Sequence, residues 1–541
     1  MGESMITTKL LRRYLRYGTP ALAVLLLAGC VGWHPRPADD YVGFSPPYGV
    51  KPGEKPPSPR RVMVPKTGPL EVGIFDAILI GLENNRALSV ERYIPPIRRT
   101  HEDEERAAFD PVLAAELSAS RVREPARIPG GADTTTNSTA AGGGLSNHFP
   151  TGTDVSVDLS TRRSWGSTLD DQHTTRVGVT VTQALLRGLG LDVNLASLRQ
   201  ARLDTLSSEY ELRGFAELLV ADIESTYWDY ALAKRSIEIY EESLKLARQQ
   251  LSEIQQRIKV GKLAETELAA AQAEVALRQE ALINARSALE STRLQLLRLT
   301  NPPGANLWRR DIVLKDKPAV PKIKLDSVED HVKVALRMRP DLNQARLAVQ
   351  RGDLEVVTTK NGLLPRLDFF ITLGKTGYAD SFGSSARDIA DKHYDLSAGL
   401  RLEFPPRNRE AKAQHRRATL SRRQATESVE NLGQLVQVDV RSAYGEVRRT
   451  TEQVTATTAT RKLQEEKLRA ETEKFRVGKS TALLVAGAQR DLVGSQIAEI
   501  ETAVAYLKAL VDLHRLEGSL PERRGVSAPG RQPAGAVRLD P

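Results

Sequence analysis

One cysteine, Cys30, stands in 541 residues, which excludes an intrachain disulfide and any metal cluster built from cysteine. Aromatics make up 5% of the chain, too few for large compact cores. Charged residues reach 27%, and Ala, Leu, Gln, Glu and Arg crowd the middle, a mixture that favours long helices. Beyond residue 29 no stretch offers 18 consecutive apolar residues, so a membrane crossing by the mature chain has to use strands. The eight histidines are dispersed and no HExxH occurs, so no zinc site is indicated. Gly478-Lys479-Ser480 imitates the end of a phosphate loop, but Glu473 stands where its first glycine is required. No nucleophile, base and orienting acid come together, so the chain is read as a non-enzyme without cofactors. The net charge is +9, of which the first 29 residues supply +3 through Lys9, Arg12, Arg13 and Arg16 against Glu3. The rest is too dilute for a basic nucleic-acid face.

What is present begins with an export signal. Residues 21–29, ALAVLLLAG, form a short apolar run behind positive charge, and Cys30 follows at once. Leu27-Ala28-Gly29-Cys30 resembles a bacterial lipoprotein signal. The resemblance implies cleavage after residue 29, a covalent lipid on Cys30 and acylation of the new amino terminus. Val31, with no Asp there, favours the outer membrane in that resemblance. Residues 30–69 are rich in Pro and Gly and read as an acylated, extended tether.

From about residue 70 the same plan occurs twice. GLENNRAL at 81–88 matches ALRMRPDL at 335–342, an offset of 254, and the same offset lays Pro111 on Pro365. ADIESTYWDY from 221 matches VDVRSAYGEV from 438, an offset of 217 that also lays Val260-Gly261-Lys262 on Val477-Gly478-Lys479. One length change in the loop region 125–172 explains both registers. Each half therefore reads as a helix near 73–108 or 326–362, two strands around a variable loop, a long helix near 195–258 or 407–474, a glycine turn, and a returning helix near 263–300 or 480–517. At 1.5 Å per residue the long helices span roughly 100 Å, nearly the sum of the two shorter ones in each half. Leu263, Leu268, Val275, Leu282, Leu289, Leu296 and Leu299, spaced by Ala, suit shallow coiled-coil packing. The repeats are bounded at 70–320 and 321–520, with a flexible tail at 521–541.

The strands carry the membrane argument. In YDLSAGLRLEF at 394–404, Tyr394, Leu396, Ala398, Leu400, Leu402 and Phe404 share one face against Asp395, Ser397, Gly399, Arg401 and Glu403. Leu367, Phe369, Ile371 and Leu373 share a face, as do Leu113, Ala115, Leu117 and Ala119, and Val177, Val179 and Val181. Leu367, Phe369, Ile371, Leu373, Leu396, Leu400 and Leu402 are the expected lipid-facing residues. Residues 132–147 and 374–392 read as exposed loops. That leaves four barrel strands per chain, too few to close a barrel in lipid. Two copies would give eight and three would give twelve, and spacing does not choose between them.

The repeat, the prolines at Pro111 and Pro365, and the glycine turns at 258–262 and 475–479 together resemble the TolC-like outer membrane efflux protein family over about residues 70–520, in its lipoprotein branch. The resemblance implies a mainly α fold with a membrane β-barrel, closed as a homotrimer, and a long periplasmic helical tunnel. It implies docking to a periplasmic adaptor and an inner-membrane exporter, proton-driven in that branch. Gly261, Lys262, Phe475, Gly478 and Lys479 would then form the periplasmic tip. Family members place acidic residues at an aperture, where this chain has Leu484 and Gly487; Glu267, after the first turn, is the available substitute. A duct for type I protein secretion and a structural coiled-coil lipoprotein remain as alternative readings.

Overall fold

The computed structural model describes residues 68–125, 132–167, 170–261, 264–304, 306–321, 325–390 and 393–526. Cys30, the tether up to residue 67, Lys262 and most of the tail lie outside the described residues.

Chain order repeats as expected. A short strand β1 (Leu70–Val72) leads into helices α1 (Ile74–Asn84), α2 (Arg86–Glu91) and α3 (Ile94–Arg106). Strands β2 (Val112–Glu124), β3 (Thr134–Phe149), β4 (Thr153–Gly166) and β5 (Gln172–Ala184) follow, then α4 (Leu191–Asn194), the 64-residue α5 (Ala196–Lys259) and the returning α6 (Thr266–Thr300). The second half runs through β6 (Ile312–Leu314), α7 (Val328–Met338), α8 (Pro340–Asn361), β7 (Arg366–Ala379), α9 (Phe382–Asp388), β8 (Tyr394–Glu403), the 68-residue α10 (Arg409–Arg476), α11 (Ala482–Leu516) and α12 (Leu520–Arg523).

The first helix of each half is broken at equivalent residues. Asn85 is extended (ψ 126°), and its side chain accepts from Leu88 N, so it ends α1 and caps α2. Arg339, 254 positions later, is extended because Pro340 follows it. Pro95 and Pro96 occupy the first turn of α3, where a missing N–H costs nothing.

The long helices are held by packing. In the first half α5 packs against α6 and α3, and in the second α10 packs against α11, α8 and α7. Helix α8 touches both α5 and α10, joining the halves. The main core sits midway along the helices and gathers Ile78, Ile80, Ile223, Tyr227, Leu296, Leu297, Val436, Val440, Val511 and Leu513 from both repeats. Each such aliphatic side chain contributes about 1.5–3 kcal/mol by leaving water. The β1–β6 pair closes this level: Tyr227 Oη donates to Val72 O and Tyr230 Oη to Ile312 O. Nearer the start of α5, Arg213 is fully buried against the Glu217 carboxylate at 2.9 Å and donates to Gly518 O, which pins the chain after α11 onto α5.

The sheet corrects one expectation. It has six strands, not four, in the order β2-β3-β4-β5-β7-β8, all antiparallel. The expected loop at 132–147 is mostly strand β3, and the length change in region 125–172 is the β3–β4 hairpin. The run 132–147 is rich in Thr, Ala and Gly, so its period of two is muted, and that composition imitates a loop. The expected loop 374–392 likewise begins as the end of β7 and holds α9.

Candidate functional site

Antiparallel partners share a face, so the pairings sort every strand into an inner and an outer side. Leu367, Phe369, Ile371 and Leu373 on β7 lie opposite Leu402, Leu400, Ala398 and Leu396 on β8. Val181 and Val179 on β5 continue the row from Ile371 and Leu373, and Val155, Val157 and Leu159 on β4 continue it from β5. Leu145 on β3 and Leu113 on β2 complete it. Leu396, Leu400 and Leu402 are 64–66% exposed, far from core burial. One apolar face therefore crosses all six strands, including every expected lipid-facing residue. No helix among the described residues is long and apolar enough to cross a membrane.

The opposite face is polar. Arg176 on β5 pairs with Asp395 on β8 at 2.7 Å, and Arg366 with Asp368 at 2.8 Å. Arg401 stands over the Phe370 ring at 5.7 Å. Apolar outside and polar inside is the pattern of a transmembrane barrel wall around water. The two edges, β2 and β8, carry unpaired backbone groups on one side each, and such edges cannot stay open in lipid.

At the far end of the long helices each half reverses direction through a glycine. Gly261 and Gly478 both have φ of +75°, a conformation costly for any residue with a Cβ. Lys479 N donates to Lys474 O and Gly478 N to Phe475 O, closing the second turn. Phe475 carries the Arg257 guanidinium 5.0 Å from its ring centroid, a contact joining the two halves. Glu267 lies in the first turn of α6 and lines a cleft with Arg257, Phe475 and Ala482. Leu484 is exposed, and a Cβ on Gly487 would meet nothing within 4 Å.

Sequence reasoning missed Arg257, and also the buried ion pair of Glu274 with Arg278 at 2.7 Å, approached by Arg490 from α11 at 3.7 Å. The pairing of Glu274 and Arg278 at i,i+4 was a readable signal for part of it; the partner from the other repeat was not readable.

Comparison with known proteins places this geometry. The family model described as "Outer membrane efflux protein" matches residues 82–302 and 332–519. The chain belongs to the outer membrane efflux protein family. Among solved structures it is similar to the outer-membrane channel OprN at 18% identity, covering 82% of this chain and 90% of that one with a TM-score of 0.64. It is similar to the CmeC outer membrane channel of Campylobacter jejuni at 14% identity, covering 83% and 86% with a TM-score of 0.63. It is also similar to the MtrE outer membrane channel of Neisseria gonorrhoeae at 18% identity, covering 83% and 89% with a TM-score of 0.58. No curated protein matches by sequence. The general role of this outer membrane efflux protein is that of an outer-membrane channel.

Proposed function

We propose that three copies of this chain close into a passive duct that carries small molecules out of the periplasm, fed by a periplasmic adaptor and a proton-driven inner-membrane exporter. The observation that carries the proposal is the pair of open edges on a sheet whose outer face carries an apolar band across all six strands. Strand β2 starts at the helix side of the sheet and β8 ends there, so β8 of one copy meets β2 of the next antiparallel. Closure supplies the missing hydrogen bonds, each worth several kcal/mol in hydrocarbon. Trimeric closure agrees with the family's assembly.

Cys30 anchors each copy by its lipid. Two or three chains hold far more firmly than one, since each buried methylene adds about 0.8 kcal/mol. The glycine turns face the adaptor, and Glu267 takes the place of the acidic aperture residues that Leu484 and Gly487 do not supply.

The test is reconstitution of the purified full-length chain in planar bilayers. Discrete, trimer-dependent conductance is expected, together with loss of palmitate labelling in Cys30→Ser. A water-soluble, nonconducting monomer would overturn the reading in favour of a structural coiled-coil lipoprotein. Export of a polypeptide rather than a small solute through a reconstituted assembly would replace the cargo by that of a secretion duct.

A further inference from the structure

The β3–β4 hairpin has no counterpart in the second half, where one loop joins β7 to β8. We propose that this hairpin crosses the outer membrane as part of the barrel wall, so that three copies of six strands enclose eighteen. The proposal rests on the trimeric channel reading above.

Length permits the crossing. Strands β3 and β4 have 16 and 14 residues, and a tilted membrane strand needs about 9–11. The hairpin is inserted between β2 and β5 and bonded to both along nearly its whole length, so it cannot leave the wall without opening the sheet. Its outward side falls in register with the apolar row. Leu145, Val157 and Leu159 lie at the level of Leu113, Val179 and Val177, while the inward side of β4 presents Ser156, Asp158 and Ser160.

The hairpin's ends are marked as well. On its outward face Phe149 closes the helix-side end and Trp165 the opposite end, the latter under the Arg163 guanidinium at 4.8 Å. Aromatic side chains at both water boundaries are the girdles of a membrane barrel. Strand β8 shows the same arrangement, with Tyr394 exposed at one end and Phe404 at the other. The hairpin's turn is fastened on the helix side, where Asn194 Nδ2 donates to Pro150 O at 2.9 Å and to Gly188 O at 2.8 Å. A three-residue turn (150–152) on that side and longer connections on the other follow the pattern of outer-membrane barrels, short turns in the periplasm and long loops outside.

Barrel diameter grows roughly linearly with strand number, so the bore is about 1.5 times that of a wall with four strands per copy. At sixteen to eighteen strands a barrel holds an open aqueous channel. The hairpin's inward residues on β3 are small, with Ser138, Ala140, Gly142 and Gly144 in succession, and they leave that width clear. The barrel then passes bulky hydrophilic solutes, and the helical tunnel, not the membrane wall, sets the size limit.

The test uses the full-length trimer in nanodiscs. Nitroxide labels go singly on cysteines at Val157, Asp158, Leu159 and Ser160, with Leu396 and Ser397 on β8 as reference and the unsubstituted chain as background for Cys30. Positions 157, 159 and 396 are expected to be relaxed by oxygen dissolved in lipid, and 158, 160 and 397 by a water-soluble nickel chelate. If 396 reads as lipid while 157 and 159 read as water, the hairpin proposal is overturned and the channel reading stands. If 396 also reads as water, both fall. Electron cryomicroscopy of the unsubstituted trimer needs no variant: eighteen staves in cross-section are expected, and twelve would overturn the proposal.

Discussion

Single residues hold this molecule where separate segments of the chain come together. Gly152 has φ of +84°, and a Cβ there would stand 2.2 Å from Gly188 O. Gly152→Ala is expected to cost about 1–3 kcal/mol through backbone strain alone, read as a lowered thermal midpoint of the detergent-solubilised trimer. Arg213→Met should cost about 3–5 kcal/mol, because it strands the buried Glu217 carboxylate; the same melt checks it. The cluster at the end of α11 sets a pH dependence. Burial, with Arg523 nearby, lowers His514 to about 4. Burial raises Glu517, but hydrogen bonds from His331, Ser519 and Arg523 outweigh it and hold the group at about 2. An unfolded chain takes a proton on His514 as pH falls through 6.5, whereas the folded chain does so only near 4, so this contribution is lost between those values. Glu217 acts in the opposite sense: burial, partly offset by Arg213, lifts it to about 7, so its contribution grows as pH falls from 7 to 4.5. His514→Phe should therefore leave the melt less acid-sensitive between pH 6.5 and 4 than the native chain, while the loss below 4.5 that comes from Glu517 persists.

At the scale of elements, the repeat explains most of what was readable. The long helices were expected near 195–258 and 407–474 and run at Ala196–Lys259 and Arg409–Arg476. The breaks at Asn85 and Arg339 were missed, although Pro340 announces the second one. Only the repeat transfers that break to Asn85, whose side chain caps α2 locally and also donates to Leu299 O from the end of α6. The tip behaves differently, since its turns were legible as glycine in a repeated place but its cross-repeat contacts were not. Arg257→Ala and Phe475→Ala should each loosen the tip. A double-mutant cycle on protease sensitivity of the two turns should give a coupling of about 0.5–1 kcal/mol, the worth of an exposed cation–π contact.

For the whole molecule the decisive property is the two-faced sheet. Leu400→Arg places a charge on the lipid side and should cost about 2–4 kcal/mol near the bilayer midplane, seen as loss of assembled trimers from the outer membrane. Ser397→Arg puts the same charge on the lumen side, where it should leave assembly intact and shift the cation-to-anion permeability ratio of single channels toward anions. Equal loss of trimers in both variants would contradict the two-faced wall.

The amino-acid sequence alone determined the helices, the glycine reversals, the apolar faces of β2, β5, β7 and β8, and the twofold plan, because each rests on spacing along the chain or on a local backbone demand. Tertiary structure alone decided the place of residues 134–149. Their Thr, Ala and Gly suit a loop as well as a strand, and only hydrogen bonding to β2 and β4 makes that ambivalent segment a strand, whereas β4 itself carries a local alternation of Val155, Val157 and Leu159 with Ser156, Asp158 and Ser160. The same holds for Arg257 with Phe475 and for Arg213 with Gly518: partners more than two hundred residues apart share no local signal, and folding of one repeat against the other brings them together.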